Sequence, residues 1–381
     1  MVSHEYPPVG GGGGKVAQDL SQAFARRGHE IRVVTAHYGD LALQENQDGV
    51  LVKRLRSLRL QPFRAGMAAM AGFLIAGGIA ALREVRHWQP DVVHVHFAVP
   101  AGPIAWLVNQ VSDTPYVLTA HLGDVPGGTP EKTGKWFKWI FPFTPPIWRN
   151  ASRVIAVSEF TRQLALQNYD IPIQVIPNGV QLECLEPDQI VVNQPPHLVF
   201  AGRFMEQKDP LMVIKTLAAC ADLDWHCTML GDGPLLPQVQ QAVLAAGLES
   251  RFTLPGWVTS EQVREIFLQS DILIMPSLSE GLPVVGVQAL SSGLAFAVSN
   301  IGGFIDLVQE GLNGFLVPPK NVLVWQEKLR QLLSSVQLIR TFRMQSLEIA
   351  QKFDLEQIAQ EYLQVFEDVI QENTEKSHGK A

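Results

Sequence analysis

Short apolar and β-branched runs alternate with helical stretches along this chain, and the rhythm runs twice. In the first half "IRVVTA" (31–36), "DVVHV" (91–95), "YVLTA" (116–120) and "VIAV" (154–157) read as strands. In the second half the candidates are "HLVFAG", "WHCTMLG", "RFTL", "DILIM" and "LAFAV". Strands apolar on both sides belong to parallel sheets covered by helices on each face. A chain of 381 residues also exceeds what one core supports. The predicted fold class is therefore α/β, with two doubly wound, Rossmann-like parallel-sheet domains.

The segment "IPNGVQLECLEPDQIVVNQPPH" (176–197) is interrupted by Pro177, Gly179, Pro187, Pro195 and Pro196 and reads as the linker. Domains are predicted at 1–182 and 183–381. After the second, Leu355, Ile358, Tyr362, Phe366 and Ile370 recur at helical spacing, so a helix is expected over 353–370. The closing "QENTEKSHGKA" is expected to fray. At the other end "MVS" is a first strand of three residues, shorter than usual.

Net charge is −7, so no overall basic field points to nucleic acid. Cys184, Cys220 and Cys227 form neither a CxxC pair nor an even set, which suits a reducing cytosol. "MVSHEYPPVG" lacks the basic and apolar regions of a secretory signal, and a cytoplasmic location is predicted.

Doubly wound domains bind ligands beyond the carboxyl ends of their strands, so a cleft between the two is the expected site. Three loops in such positions carry chemistry. "EYPPVGGGGGK" places Gly10 to Gly14 before an amphipathic helix, letting backbone come close to a phosphate or sugar at a helix N-terminus. It is not a P-loop, because Val9 stands where glycine is required and Val16 where Ser or Thr would hold magnesium. "FAGRFMEQKDP" puts Arg203 and Lys208 on one short loop, a pair suited to a diphosphate. "PSLSEGLPVVGVQALSSG" places Glu280 and Gly281 before a helix opened by Leu282, Pro283 and Val284, with Gln288 about two turns on. His94 and His96 alternate on one strand without a third ligand, and "DLD" (222–224) reads as a polar turn, so no metal is predicted.

In order and spacing these pieces, with "TAHLGD" (119–124), "VSEFT" (157–161), "IPNGV", "GDGP" (231–234) and "GWV" (256–258), resemble a family 4 glycosyltransferase from Glu5 to about Ile370. The resemblance implies a GT-B fold, a nucleotide diphosphate sugar as co-substrate, retention of configuration and no other cofactor. It implies that Arg203 and Lys208 hold the donor diphosphate, that Glu280 binds donor-sugar hydroxyls and that residue 288 binds the ribose. His121 would lie by the donor sugar, Gly12, Gly13, Gly281, Leu282, Pro283 and Val284 along the donor, and Val258 by the base. Gly10, Gly11 and Asp124 would line the acceptor side, and the helix 353–370 would cross back to the first domain. A carbohydrate or lipid-linked acceptor is expected.

Gln288 stands where the family carries an acid. An amide still binds ribose hydroxyls but with weaker hydrogen bonds, which leaves two readings, an active hexosyltransferase and a nucleotide-sugar-binding pseudoenzyme. The glycine run keeps a nicotinamide oxidoreductase open. The uncharged segment 65–82 follows the cations Lys53, Arg54, Arg56, Arg59 and Arg64. It reads either as a buried or edge helix or as a dock on an anionic membrane surface.

Overall fold

The computed structural model describes residues 1–63, 65–130, 137–183 and 185–378. Arg64 of the basic run and Cys184 lie outside these. The chain divides into two units, Met1–Gly179 with Leu355–Ala381, and Val180–Asp354. The division falls a few residues before the expected 182/183, and the C-terminal helix belongs to the first unit.

In the first unit β1 (Ile31–Ala36), β2 (Gln44–Gln47) and β3 (Val50–Leu55) form one set, ordered β1-β3-β2. β4 (Val93–His96), β5 (Tyr116–Ala120), β6 (Arg153–Ala156) and β7 (Gln174–Val175) form the other, in chain order. The short start joins them. Val2 bridges Val34 and Val95 in parallel, its N–H bonding His94 O at 2.9 Å while Ser3 N–H bonds Val34 O at 3.1 Å. Two or three residues suffice for a central strand because its neighbours on both sides supply the ladder.

β2 and β3 had no sequence-level prediction. "QENQ" has no β-branched residue and is exposed or half-exposed, yet Asp48 (φ 49°) and Gly49 (φ 86°) turn the chain back so that Gln47 pairs Val50. The basic run is corrected by β3. The Arg54 side chain is buried against Glu45, and Lys53 donates to Glu84. Arg59, also buried, donates to the carbonyls of His4, Gln61 and Pro62. Arg56 remains exposed.

The segment 65–82 lies within helix α2 (Met67–Trp88), which follows α1 (Gly12–Arg26) and precedes α3 (Gly102–Ser112). Its inner face, Ala69, Phe73, Gly77, Gly78, Ala81 and Val85, is buried. Its outer face shows Met67, Ile75 and Ile79 at 54%, 67% and 51% exposure.

The second unit is a six-stranded parallel sheet. Its strands are β8 (His197–Ala201), β9 (His226–Leu230), β10 (Phe252–Gly256), β11 (Ile272–Met275), β12 (Ala295–Ser299) and β13 (Gly314–Val317), ordered β10-β9-β8-β11-β12-β13. The order turns around between β8 and β11. "DLD" is a surface turn whose Asp222 binds Arg330 through both oxygens, at 2.6 and 2.8 Å.

The helices used below are α4 (Val284–Ser291), α5 (Val336–Ala350) and α6 (Leu355–His378). Leu355, Ile358, Tyr362 and Phe366 of α6 are buried, and Phe24 of α1 meets Phe366 edge-on at 5.5 Å. The helix runs past the expected end at 370, because Glu372 pairs with Arg153 and Asn373 Nδ2 donates to Asp113 O. The expected fray is thus helical to His378.

A buried ion pair ties the second unit's start to its end. Asp271, before β11, accepts Arg343 Nη1 of α5 at 2.6 Å, His197 N at 2.8 Å and Asn193 Nδ2 at 2.9 Å. Arg343 also donates to Val191 O and Gly293 O. Arg343→Met should lower unfolding stability by about 3–5 kcal/mol, since it leaves a buried carboxylate uncompensated. A urea midpoint equal to that of the unmodified chain would contradict this.

Candidate functional site

Both units place their loops at the point where strand order reverses, which is where an open parallel sheet leaves a crevice. In the second unit the loops after β8 and β11 diverge there and are laced together. Leu278 N–H donates to Gln207 O and Gln207 Nε2 to Ser279 O, both at 2.7 Å. The Lys208 ammonium donates to the Glu280 carboxylate, whose side chain is 7% exposed. Gly303 backs this loop, its N–H on Glu280 O at 3.1 Å, and a Cβ there would sit 1.8 Å from Gly281 O. Arg203 lies half-buried five residues before Lys208. The structure thus brings Lys208 and Glu280 into contact, on loops that also carry Arg203 and Gly281.

Pro283 is the cap of α4 rather than its first residue, with ψ 121°. The first intrahelical bonds are Gly286 and Val287 N–H to Pro283 O. The amides of Val284 and Val285 therefore head the helix, the end that favours negative charge. Leu282 is buried, Val284 half-buried, and Gln288 half-buried in the second turn. Val258 follows β10 beside the exposed Trp257.

In the first unit the reversal lies between β1 and β4, on either side of the Val2 strand. Three polar segments meet there. The first is His4 to Gly14, the second follows β4 at Phe97, and the third follows β5 at His121 to Asp124. The His121 ring stacks on Phe97 with centroids 4.4 Å apart, and His121 Nε2 lies 3.3 Å from His96 Nδ1. Phe97 has φ 73°, unusual for a bulky residue, and this turn aims its ring at His121. Asp124 is buried, accepting His121 N–H at 2.9 Å and Val99 N–H at 3.3 Å. Its side chain holds the His121 turn, so among the expected acceptor-side residues it acts through the loop.

The glycine loop is filled by the chain itself. Gly11 N–H donates to Glu5 Oε2 at 2.9 Å. A Cβ on Gly10 (φ 106°) would lie 2.4 Å from Glu5, and one on Gly13 would lie 2.4 Å from Phe97. These glycines admit Glu5 and Phe97, where the sequence suggested a ligand. Gly12 opens α1 beside them. Phe97 carried no sequence signal, since it matters only through folding onto a distant loop, and Glu5, which opens the quoted motif, was given no role of its own.

His94 and His96 hold no metal cluster among the described residues. His94 Nε2 bonds Thr119 Oγ1 at 2.8 Å, and that hydroxyl meets Tyr362 OH of α6 at 3.2 Å. Burial pushes His4 and His121 down to about 4 and holds His94 and His96 well below the ordinary imidazole range. Burial raises Asp124 to about 7, against the backbone N–H groups that favour its charge.

The signs are opposed. Unfolded imidazoles take protons near 6.5 and native ones near 4, so acidification between those values favours unfolding. Asp124, whose native value exceeds its unfolded 3.8, gains stability over the same range. Four imidazoles outweigh one carboxyl. The urea midpoint should therefore be lower at pH 5 than at pH 7, and His4→Gln should shrink the difference; equal midpoints would contradict it.

A model described as Glycosyltransferase Family 4 matches residues 10–183, and one described as Glycosyl transferases group 1 matches 195–335. A UDP-Gal:alpha-D-GlcNAc-diphosphoundecaprenol alpha-1,3-galactosyltransferase of Escherichia coli is 28% identical over 258 residues, 63% of this chain and 65% of its own. Among solved structures, sucrose-phosphate synthase of Thermosynechococcus elongatus superposes with TM-score 0.84 at 18% identity, covering 97% of this chain and 98% of the other. HepE of Anabaena, solved with UDP and glucose, gives TM-score 0.76 at 19% identity, covering 96% and 98%. The shared architecture is GT-B.

Proposed function

The chain belongs to glycosyltransferase family 4, and on that footing we propose that it moves a hexose from UDP to a carbohydrate or lipid-linked sugar, with retention and without a metal. The observation that carries this is the contact of Lys208 with Glu280 on two laced loops that also bear Arg203 and lead to the head of α4. UDP is chosen over GDP because HepE was solved with UDP, and a lipid-linked acceptor has support in the Escherichia coli relative. Family membership sets aside the oxidoreductase alternative.

Cleaving a sugar–phosphate bond leaves an oxocarbenium-like sugar and added negative charge on the diphosphate. Arg203, Lys208 and the α4 N-terminus stabilise that charge as it develops. One Lys208 N–H serves Glu280 and the others are available to a phosphate oxygen. Glu280 accepts donor-sugar hydroxyls, while in the first unit neutral His121, steadied by Phe97 and His96, offers its ring to a sugar. The acceptor hydroxyl delivers its proton to the leaving phosphate on the same face, so no side-chain base takes part.

Calorimetry in EDTA should give UDP binding tighter than GDP or ADP. Arg203→Ala should weaken it at least tenfold, and Gln288→Glu should strengthen it about tenfold by restoring a charge-assisted bond to ribose. Equal affinity for all three nucleotides, or no change in either variant, would sink the donor assignment. UDP binding with no turnover of any UDP-hexose would favour the pseudoenzyme that Gln288 suggested.

We further propose that the protein works on the cytoplasmic face of a membrane, reached through the outer face of α2. That helix is long and apolar enough to cross a bilayer by length and composition, with mean hydropathy 1.5 over 18 residues. Its buried inner face favours lying flat. Leu58 and Leu60, at 74% and 88% exposure, add apolar surface just before it in the chain. With Lys53, Arg54 and Arg59 committed internally, attachment should be mainly apolar. The protein should co-sediment with neutral phosphatidylcholine vesicles in high salt, and Ile75→Asp with Ile79→Asp should release it. Recovery in the supernatant with every vesicle composition would remove the proposal.

A further inference from the structure

Residues 56–60 follow β3 with an alternation of their own, exposed and buried in turn, and its polarity is reversed. Ser57 and Arg59 are buried, while Arg56, Leu58 and Leu60 are exposed. Solvation favours the opposite arrangement, arginine outside and leucines inside. Arg59 accounts for the inner half: its guanidinium donates to the carbonyls of His4, Gln61 and Pro62, and Pro62 O also accepts Gly10 N–H at 2.8 Å. The outer half has no such internal reason. Leu58 is held there at φ 57°, a strained backbone for a bulky residue.

This ridge has a definite place in the first unit. Through Arg59 and Pro62 it is fastened to the segment from His4 to Gly10, one of the three that meet at the reversal. Ser57 O also packs on α2, where a Cβ added to Gly72 would lie 2.9 Å away. Arg56 differs from the other cations of its run. Lys53 donates to Glu84, Arg54 pairs with Glu45 and Arg59 is engaged by carbonyls, whereas Arg56 makes no ion pair among the described residues. An unpaired guanidinium forks onto a phosphate, and two exposed leucines beside it offer a hydrocarbon chain a surface to cover. A bilayer resting on the apolar face of α2 needs no such cation, and inorganic phosphate needs no leucines. A lipid with a phosphate at its head matches both.

We infer that Arg56, Leu58 and Leu60 seat a phosphate-linked lipid, with the phosphate on the guanidinium and the first part of the chain across the leucines. Its meaning rests on the glycosyltransferase reading, in which that lipid carries the acceptor sugar and is held at the edge of the first unit's crevice. Attachment through Ile75 and Ile79 is a separate contact.

Calorimetry on the full chain tests this with geranyl phosphate, below its micelle concentration, against geraniol and inorganic phosphate. Geranyl phosphate should bind at least tenfold tighter than either. Arg56→Gln should lower it to the affinity of geraniol, and Leu58→Asn with Leu60→Asn to that of inorganic phosphate. Asparagine tolerates the backbone of residue 58, and each variant is used with an unchanged melting temperature. Ile75→Asp with Ile79→Asp should bind geranyl phosphate as the unmodified protein does. Equal affinity for geranyl phosphate and geraniol, or affinities unmoved by the Arg56 or the leucine changes, overturns the inference. Loss of binding in the Ile75 and Ile79 variant also overturns it, by giving the lipid to the α2 face, as does displacement of geranyl phosphate by UDP, which would place it on the donor loops. The UDP titration reports separately on the glycosyltransferase reading. UDP bound without geranyl phosphate faults the ridge alone; geranyl phosphate bound without UDP faults that reading and leaves the lipid seat standing.

Discussion

Parallel strands must be joined by crossovers, and a sheet that starts in its middle must reverse direction once. In the second unit β8 is that start, with β9 and β10 on one side and β11 to β13 on the other. The loops leaving β8 and β11 therefore part company at one place, and the residues proposed for the donor stand on those two loops. There Lys208 meets Glu280 across 72 residues of sequence. The side chain of Gln207, the backbone of Leu278 and the close approach of Gly303 then lock the arrangement in advance. Binding there costs less ordering than it would with mobile loops.

The first unit obeys the same rule with different chemistry. Its reversal lies beside the Val2 strand, and the loops around it carry imidazoles, an aromatic ring and the carboxyl groups of Glu5 and Asp124. Burial keeps the imidazoles uncharged, so they offer shape and hydrogen bonds with no strong field. The second unit offers guanidinium, ammonium and a helix head. The two reversal points therefore differ in the charge they present.

Much of the fold was legible because the relevant signals are local. The runs at 31–36, 116–120, 197–201 and 272–275 are apolar on both faces and became central strands. β2 was missed because "QENQ" has polar composition, and only the Asp48-Gly49 turn pairs it. Arg54 and Arg59 looked like surface charge because a sequence shows charge but not the carboxylate or carbonyls that receive it. The C-terminal helix outran its expected end because Arg153 and the Asp113 carbonyl hold Glu372 and Asn373.

The sequence by itself determined the doubled α/β architecture, the loops that carry Arg203, Lys208, Glu280 and Gln288, and the glycine run. Each is a pattern of neighbours a few residues apart, where periodicity and turn chemistry act. Tertiary structure alone decided what those glycines are for. Whether Gly10 and Gly13 leave room for a phosphate or for Glu5 and Phe97 depends on strands that meet only after folding. A carboxylate near a helix head in sequence becomes its ligand only when the chain between them turns back, and that turn is set by packing.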